Sequence, residues 1–141
     1  MEPRLRARLV FHGAVVVMLG LLAGFPHAFV LTGQIAGEER AWRMAHLEGL
    51  LNGMLMMGAA AVAGSLVLSP RQWTWLFWSL VAAGYGNVVA SVLGASFGVR
   101  GLALASPPAN VVMNLLFWLA IGGILAGVAL LIVGARNAAR R

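Results

Sequence analysis

Two polar side chains, those of His46 and Asn52, stand six residues apart in a largely apolar stretch that covers residues 41–57. Polar groups are costly in hydrocarbon, so those that occur in apolar segments tend to have a partner or a function. A neutral imidazole in an apolar helix is a natural ligand for haem iron, which makes His46 a candidate metal ligand. The competing interpretation is a histidine at the membrane interface that hydrogen-bonds to a neighbouring carbonyl.

The residues that follow His46 place small and apolar groups beside its imidazole. Gly49, Leu50 and Gly53 stand three, four and seven positions after His46, on the same face of a helix. A flat macrocycle fits such a face, so we expect Gly49 and Gly53 to contact a haem. Asn52 lies about 9 Å farther along the axis and is rotated by about 240°. This rotation predicts that His46 and Asn52 serve different haems in a ring of subunits. The alternative for Asn52 is a hydrogen bond between helices.

The other two histidines, His12 and His27, stand fifteen residues apart in the first apolar segment. In a helix this spacing corresponds to about 22 Å, so the two cannot share one iron. His27 follows Pro26, a predicted kink, and lies toward the same side of the membrane as His46. We therefore consider His27 the better candidate for a second haem ligand, and His12 an interfacial or supporting residue.

Two further pairs of polar residues have the four-residue spacing that places side chains on one helix face. Asn87 and Ser91 form one pair, and Asn110 and Asn114 form the other. Hydrogen bonding between helices is the favoured interpretation for the second pair.

The composition predicts a membrane protein and excludes several chemistries. Hydrophobic residues make up 61% of the 141 residues and charged residues only 10%, against about 25% in soluble domains. The chain has no cysteine, which excludes disulfides, thiolate-bound zinc and iron–sulfur clusters. It also has no aspartate, so a Ser-His-Asp triad is impossible. Its ten arginines lie at the ends of apolar segments, which indicates lipid headgroups and not nucleic acid as the partner.

Four apolar segments each exceed the length of about 20 residues that a spanning helix needs. They cover residues 9–31, 45–68, 73–97 and 111–133. None of them alternates in polarity as the strands of a membrane barrel do, which leaves helices as the spanning structure. The sequence therefore predicts an all-α protein in which residues 1–141 form a single transmembrane four-helix bundle.

The arginines are distributed unevenly on the two sides of these segments. Seven lie in the two terminal tails and the second loop, and three lie elsewhere. The positive-inside rule then predicts that both termini are cytoplasmic, in a multi-pass protein of the cell inner membrane. On the outer side, Arg43 and Arg100 are candidates for pairing with haem propionates, because arginine suits carboxylates. The equally weighted alternative is that both are anchors at the lipid headgroups.

Each apolar segment contains two glycines in G-x-x-x-G spacing, which lets helix backbones approach closely. The four pairs are Gly20/Gly24, Gly49/Gly53, Gly94/Gly98 and Gly123/Gly127. Together they predict a tightly packed bundle that is suited to oligomer formation.

Short motifs over nearly the whole chain resemble the styrene oxide isomerase family of small four-helix membrane proteins. The family pattern has a tryptophan, a histidine four residues later, and N-G-M-M beginning six residues after the histidine. The matching residues are Trp42, His46 and Asn52-Gly53-Met54-Leu55-Met56, followed by Gly84-Tyr85-Gly86-Asn87-Val88 and Arg100-Gly101-Leu102, with His12-Gly13 near the N-terminus.

The resemblance implies a homotrimer that holds haem b at its subunit interfaces, with His46 as the axial ligand of the iron. It further implies that ferric iron acts as a Lewis acid on the oxygen of a small hydrophobic epoxide. Ring opening and a hydride shift then give an aldehyde, and Asn52 helps to orient the epoxide. The chain departs from the family at Ser91 and Ala83, where the family has a tyrosine and an acid.

Because Ser91 occupies the position of the family tyrosine, we expect Ser91 and Asn52 to be the catalytic residues. Their neighbours in the expected site are the cofactor-binding residues His46, Arg43, Gly49, Gly53, Asn87 and Arg100. The alternative function is that of a haem-binding or electron-transfer membrane protein without isomerase activity. A third possibility is an interaction module without haem that is built on the glycine faces.

Overall fold

The computed structural model describes residues 1–141 and contains four long helices and no strand, which confirms the all-α prediction. The helices are α1 (Pro3–Leu31), α2 (Glu39–Ala61), α3 (Pro70–Phe97) and α4 (Pro108–Ala139), and a 3-10 turn at Val62–Ser65 follows α2. Each of the four is long and apolar enough to cross a membrane. Four crossings bring both termini to the same side, and the arginine distribution remains the basis for predicting that this side is cytoplasmic.

Helix ends are set by local signals and differ from the predicted boundaries. At the start of α3, Ser69 Oγ accepts a hydrogen bond from the Gln72 amide (3.3 Å) and Gln72 Oε1 accepts one from the Ser69 amide (2.8 Å). This reciprocal capping satisfies two amides at the helix start. Helix α2 begins at Glu39, six residues before the predicted start. His46 therefore lies about two turns inside a helix and not at its head.

Glycines bring α1 and α2 into backbone contact. A Cβ atom added to Gly20 would lie 2.7 Å from the Leu50 amide nitrogen and 2.8 Å from Gly49 Cα. A Cβ added to Gly13 would lie 2.9 Å from the Gly53 carbonyl oxygen. These spaces are too small for any side chain, so the glycines let the helices approach as closely as backbones can. The tight packing expected of the first two glycine pairs is confirmed.

The remaining glycine pairs behave differently from one another. Gly123 packs against the Ser79 carbonyl oxygen and Gly127 against the Leu80 side chain, which joins α4 to α3. The prediction for the pair Gly94/Gly98 is wrong, because Gly98 ends α3 in the left-handed conformation with φ +63°. Nothing lies within 4 Å of the place where a Gly98 Cβ would be.

The buried core lies where α1, α2 and α3 meet, and the outer faces of α1 and α4 are apolar. Phe77, Met56 and Leu9 are its largest fully buried side chains. By contrast, Trp118 and Leu125 of α4 are 65% and 66% exposed. Large apolar side chains on the outside of a helical bundle are suited to lipid or to another subunit.

Candidate functional site

The imidazole of His46 is fixed at the interface between α1 and α2. Its Nδ1 lies 2.8 Å from the carbonyl oxygen of Gly20. Because a carbonyl can only accept, Nδ1 must carry the hydrogen, and Nε2 of the neutral ring keeps its lone pair. Nε2 has no hydrogen-bond partner in the chain and is not buried. Histidines that ligate metals commonly have this arrangement, with one nitrogen held by a carbonyl and the other free.

Gly24 supplies the space for this ring, since a Cβ at Gly24 would lie 3.0 Å from His46 Nδ1. The hydrogen bond to a carbonyl would also suit the competing interpretation of an interfacial histidine. What an iron ligand needs in addition is an accessible lone pair, and the free Nε2 provides it.

His27 lies beside His46, and its Nε2 atom forms no hydrogen bond. The two ring centroids are 6.4 Å apart with an angle of 23° between the planes. His27 Nε2 is buried without a hydrogen-bond partner, and Glu39 Oε1 is 4.0 Å away. Glu39 also lies 3.8 Å from Arg43, so this arginine stays at the His46 end of α2. No three histidine or carboxylate side chains converge to form a metal site of their own.

The glycine face beside His46 is occupied by α1. Gly49 and Gly53 are both buried, Gly49 against Gly20 and Gly53 against Gly13 and Val17. The expectation that a macrocycle lies against these two glycines is therefore corrected. Their lack of side chains serves the packing of α1 on α2, and any haem held by His46 must lie on another side of the ring.

The amide of Asn52 is directed to Glu48, one turn earlier on α2. Asn52 Nδ2 donates to the Glu48 carbonyl oxygen (2.8 Å) and to Glu48 Oε2 (3.0 Å). His46, by contrast, is bonded to α1. Within one chain the two side chains thus bond to different groups on different sides of α2, as the helical rotation predicts. Glu48 is a site residue that was not predicted, although its four-residue spacing from Asn52 indicates a shared helix face.

A cavity of about 400 Å³ lies between α2, α3, α4 and the loop that follows α3, and we call it the outer cavity. Two of the predicted site residues lie on its wall. Ser91, which is buried, lines it together with Glu48 and Arg100, and Met113 and Phe117 contribute apolar surface. Asn87, on the same helix face as Ser91, is half-buried and forms no hydrogen bond within the chain.

Two asparagines of α4 hold the loop that carries Arg100. Asn110 Oδ1 accepts a hydrogen bond from the Gly101 amide (2.8 Å), and Asn114 Nδ2 donates to the Gly101 carbonyl oxygen (2.7 Å). Gly101 has φ +63°, a conformation that favours glycine. The interpretation of this pair as a link between helices is thus corrected, because both side chains fix a loop at the rim of the outer cavity.

Replacing Asn114 with alanine is expected to loosen this loop and lower the free energy of unfolding by about 1–3 kcal/mol, because a buried carbonyl loses its donor. Limited digestion with trypsin should then cut faster after Arg100. Asn137→Ala, which removes a 3.2 Å hydrogen bond to Val67 between the far end of α4 and the α2–α3 connection, is the matched control. Equal cleavage rates after Arg100 in both variants would contradict this role of Asn114.

His12 and Tyr85 form a pair that the sequence alone could not reveal. His12 Nδ1 lies 3.1 Å from Tyr85 Oη, across 73 positions of sequence. The pair joins α1 to α3. The His12 ring also packs edge-to-face against the Phe77 ring, with 5.8 Å between the ring centroids. His12 thus bonds to a side chain of α3, whereas His46 bonds to the backbone of α1, and His12 supports the packing of the bundle.

Comparison with known families supports the same class of protein. The family model for styrene oxide isomerase matches residues 5–136, a range that contains His46, Asn52, Ser91 and most of all four helices. A comparison with individual curated proteins gave no match. Because the family match covers nearly the whole chain, this multi-pass membrane protein belongs to the styrene oxide isomerase family.

Proposed function

We propose that this protein is a haem b-dependent isomerase of the cell inner membrane that converts an aryl epoxide into an aldehyde. Family membership supports the isomerase class. The observation that supports the cofactor is the geometry of His46, whose Nδ1 donates to Gly20 and whose Nε2 is free. An axial ligand of haem iron requires such a nitrogen.

His46, through its free Nε2, and Arg43 are the residues of α2 that would hold a haem. Ferric haem, when bound, supplies a Lewis acid that can act on an epoxide oxygen. His46 would be its axial ligand, and Arg43, one turn earlier on α2, would pair with a propionate. Arg100 is exposed at the rim of the outer cavity and is free of ion pairs, which suits it to the same role on a neighbouring subunit.

The outer cavity supplies what an epoxide needs besides the metal. Met113 and Phe117 give it an apolar wall for an aromatic ring. An isomerase must keep water from the opening epoxide, because capture of water gives a diol, and an apolar wall serves this purpose. Ser91, whose hydroxyl can donate, would orient the epoxide oxygen, and Asn52, one turn after the lining residue Glu48, would orient the carbon atoms of the ring.

The arrangement supports a homotrimer in which sites form between subunits. His46 and Asn52 lie on different sides of α2, so one subunit would supply the ligand and its neighbour would supply Asn52 and Ser91. The apolar outer faces of α1 and α4 offer surface for such contacts. The excess of arginines at the termini supports placing both termini in the cytoplasm.

The test is an assay of the purified protein in detergent. We expect a Soret band, and conversion of styrene oxide to phenylacetaldehyde that stops when the haem is removed and returns when haem is added. Free haem in the same detergent is the control. Absence of the Soret band would exclude the haem-dependent reaction, whereas a Soret band without turnover of any aryl epoxide would exclude the isomerase.

A second candidate function, electron transfer, is favoured by one observation. The ring of His27 lies close and nearly parallel to that of His46, with a buried Nε2 that lacks a partner. If both rings ligated one iron, the haem would be six-coordinate, and no position would remain for a substrate. A five-coordinate ferric spectrum that is unchanged in His27→Ala would reject this candidate.

A further inference from the structure

The charged residues of the outer cavity are distributed unevenly between its rim and its interior. Glu38, Arg40 and Arg100 are exposed and form the rim, where water and salt screen them. Glu48 is half-buried on the α2 wall and forms no ion pair with any arginine. Glu48 is thus the one charged residue of the cavity wall that does not lie at the rim, and neither rim arginine forms an ion pair with it.

The contacts of Glu48 also decide which atom of Asn52 is free. Both hydrogens of Asn52 Nδ2 point to oxygens of Glu48, at 2.8 Å and 3.0 Å. Those oxygens are acceptors, so the amide nitrogen and not the amide oxygen must face them. Asn52 Oδ1, which accepts no hydrogen bond in the chain, is left as the free atom. Glu48 thus fixes the orientation of the Asn52 amide and leaves Oδ1 as its hydrogen-bonding atom without a partner.

We propose that Glu48 makes the interior of the outer cavity a binding site for compact aromatic cations. The Glu48 carboxylate favours positive charge, and Phe117 on the cavity wall offers an aromatic ring for it. The volume of about 400 Å³ is ample for a single aromatic ring with a small substituent.

The same site has a consequence for catalysis that rests on the proposed function. When the C–O bond at the aryl-bearing carbon breaks, its electron pair leaves with oxygen and positive charge develops on that carbon. A hydride then moves from the adjacent carbon to this carbon, and the former epoxide becomes an aldehyde without gain or loss of atoms. Glu48 lines the cavity that would hold the substrate, and its carboxylate would stabilise this charge electrostatically.

Binding of benzyltrimethylammonium, a cation that cannot ligate iron, tests the site directly. We expect Glu48→Gln to weaken its binding about tenfold or more, because the charge is lost while an oxygen remains to accept from Asn52. Glu48→Asp, which keeps the charge, should retain binding within a few-fold. Glu2→Gln, at the opposite end of the bundle, is the control for net charge, and benzylsulfonate is the ligand of opposite charge.

The result that would overturn the proposal is equal affinity of Glu48→Gln and the unaltered protein for the cation, or stronger binding of benzylsulfonate by the unaltered protein. Loss of binding in Glu48→Asp as large as in Glu48→Gln would also overturn it, since keeping the charge would then not keep the cation. Equal elution volume and haem absorbance of the variants establish that they are folded.

Turnover of para-substituted styrene oxides tests the catalytic role separately. In Glu48→Gln we expect the rate to depend more steeply on electron donation by the substituent, because the substrate must carry more of the charge itself. A lower rate with an unchanged dependence would assign Glu48 a purely structural role. If the unaltered protein bound the cation but isomerised no epoxide, the proposed function would fail while the cation site would stand.

Discussion

Replacing His46 with alanine is expected to abolish haem binding, with a loss of affinity of about 100-fold or more. Its Nδ1 is bonded to a backbone carbonyl, which leaves the lone pair on its accessible Nε2, whereas the partner of His12 Nδ1 is a hydroxyl that can donate as well as accept. The purified variant should therefore lack the Soret band while keeping its helical content. Added imidazole should restore part of the band, because it supplies the missing nitrogen at the space that the substitution leaves.

His27→Ala is the control for this experiment, since the two rings are neighbours and differ in their free nitrogen. We expect His27→Ala to retain the Soret band with at most a small shift. A normal haem spectrum in His46→Ala would remove His46 from the site, and loss of haem only in His27→Ala would transfer the ligand to His27.

Replacing Gly20 with alanine is expected to cause a large loss of stability, because the added methyl group would meet the backbone of α2. The new Cβ would lie 2.7 Å from the Leu50 amide nitrogen and 2.8 Å from Gly49 Cα, and neither backbone atom can move aside without separating the helices. Overpacking of this kind costs about 1–3 kcal/mol. Thermal unfolding in detergent measures it. Since the Gly20 carbonyl also holds His46, the Soret band should weaken or shift as well.

Gly58→Ala on α2 is the matched control, because nothing lies within 4 Å of the place where its Cβ would be. At such an exposed helical position alanine is favoured over glycine by up to about 1 kcal/mol. We therefore expect Gly58→Ala to be neutral or slightly stabilising. Equal stability of Gly20→Ala and Gly58→Ala would show that the contact between α1 and α2 is looser than the structure has it.

Element number, type and membrane character could be predicted from sequence, because apolar segments of this length have one stable form in a bilayer. The helix ends could not be placed as well. Polarity alone indicates a loop at Glu38, Glu39 and Arg40, yet the last two of these residues already belong to α2. Charged residues are compatible with a helix that extends beyond the hydrocarbon, so polarity marks the membrane boundary and not the helix boundary.

The candidate site was predictable only where helix periodicity sufficed. The separation of His46 from Asn52 followed from rotation alone. The helix that covers Gly49 and Gly53 could not be predicted in this way, because a small, apolar face suits another helix as well as a macrocycle. The contacts of Asn110 and Asn114 with Gly101 depend on how the loop folds back over α4, and no local spacing encodes that.

The hydrogen bond between His46 and Gly20 has a consequence for how the protein is made. Every residue that fixes this imidazole lies in α1 and α2, that is, within residues 3–61. The outer cavity requires residues as late as Phe117 of α4. Because synthesis proceeds from the N-terminus, the hairpin of α1 and α2 orients His46 before the outer cavity exists. A chain arrested after the second membrane crossing would contain the oriented His46 but not the outer cavity.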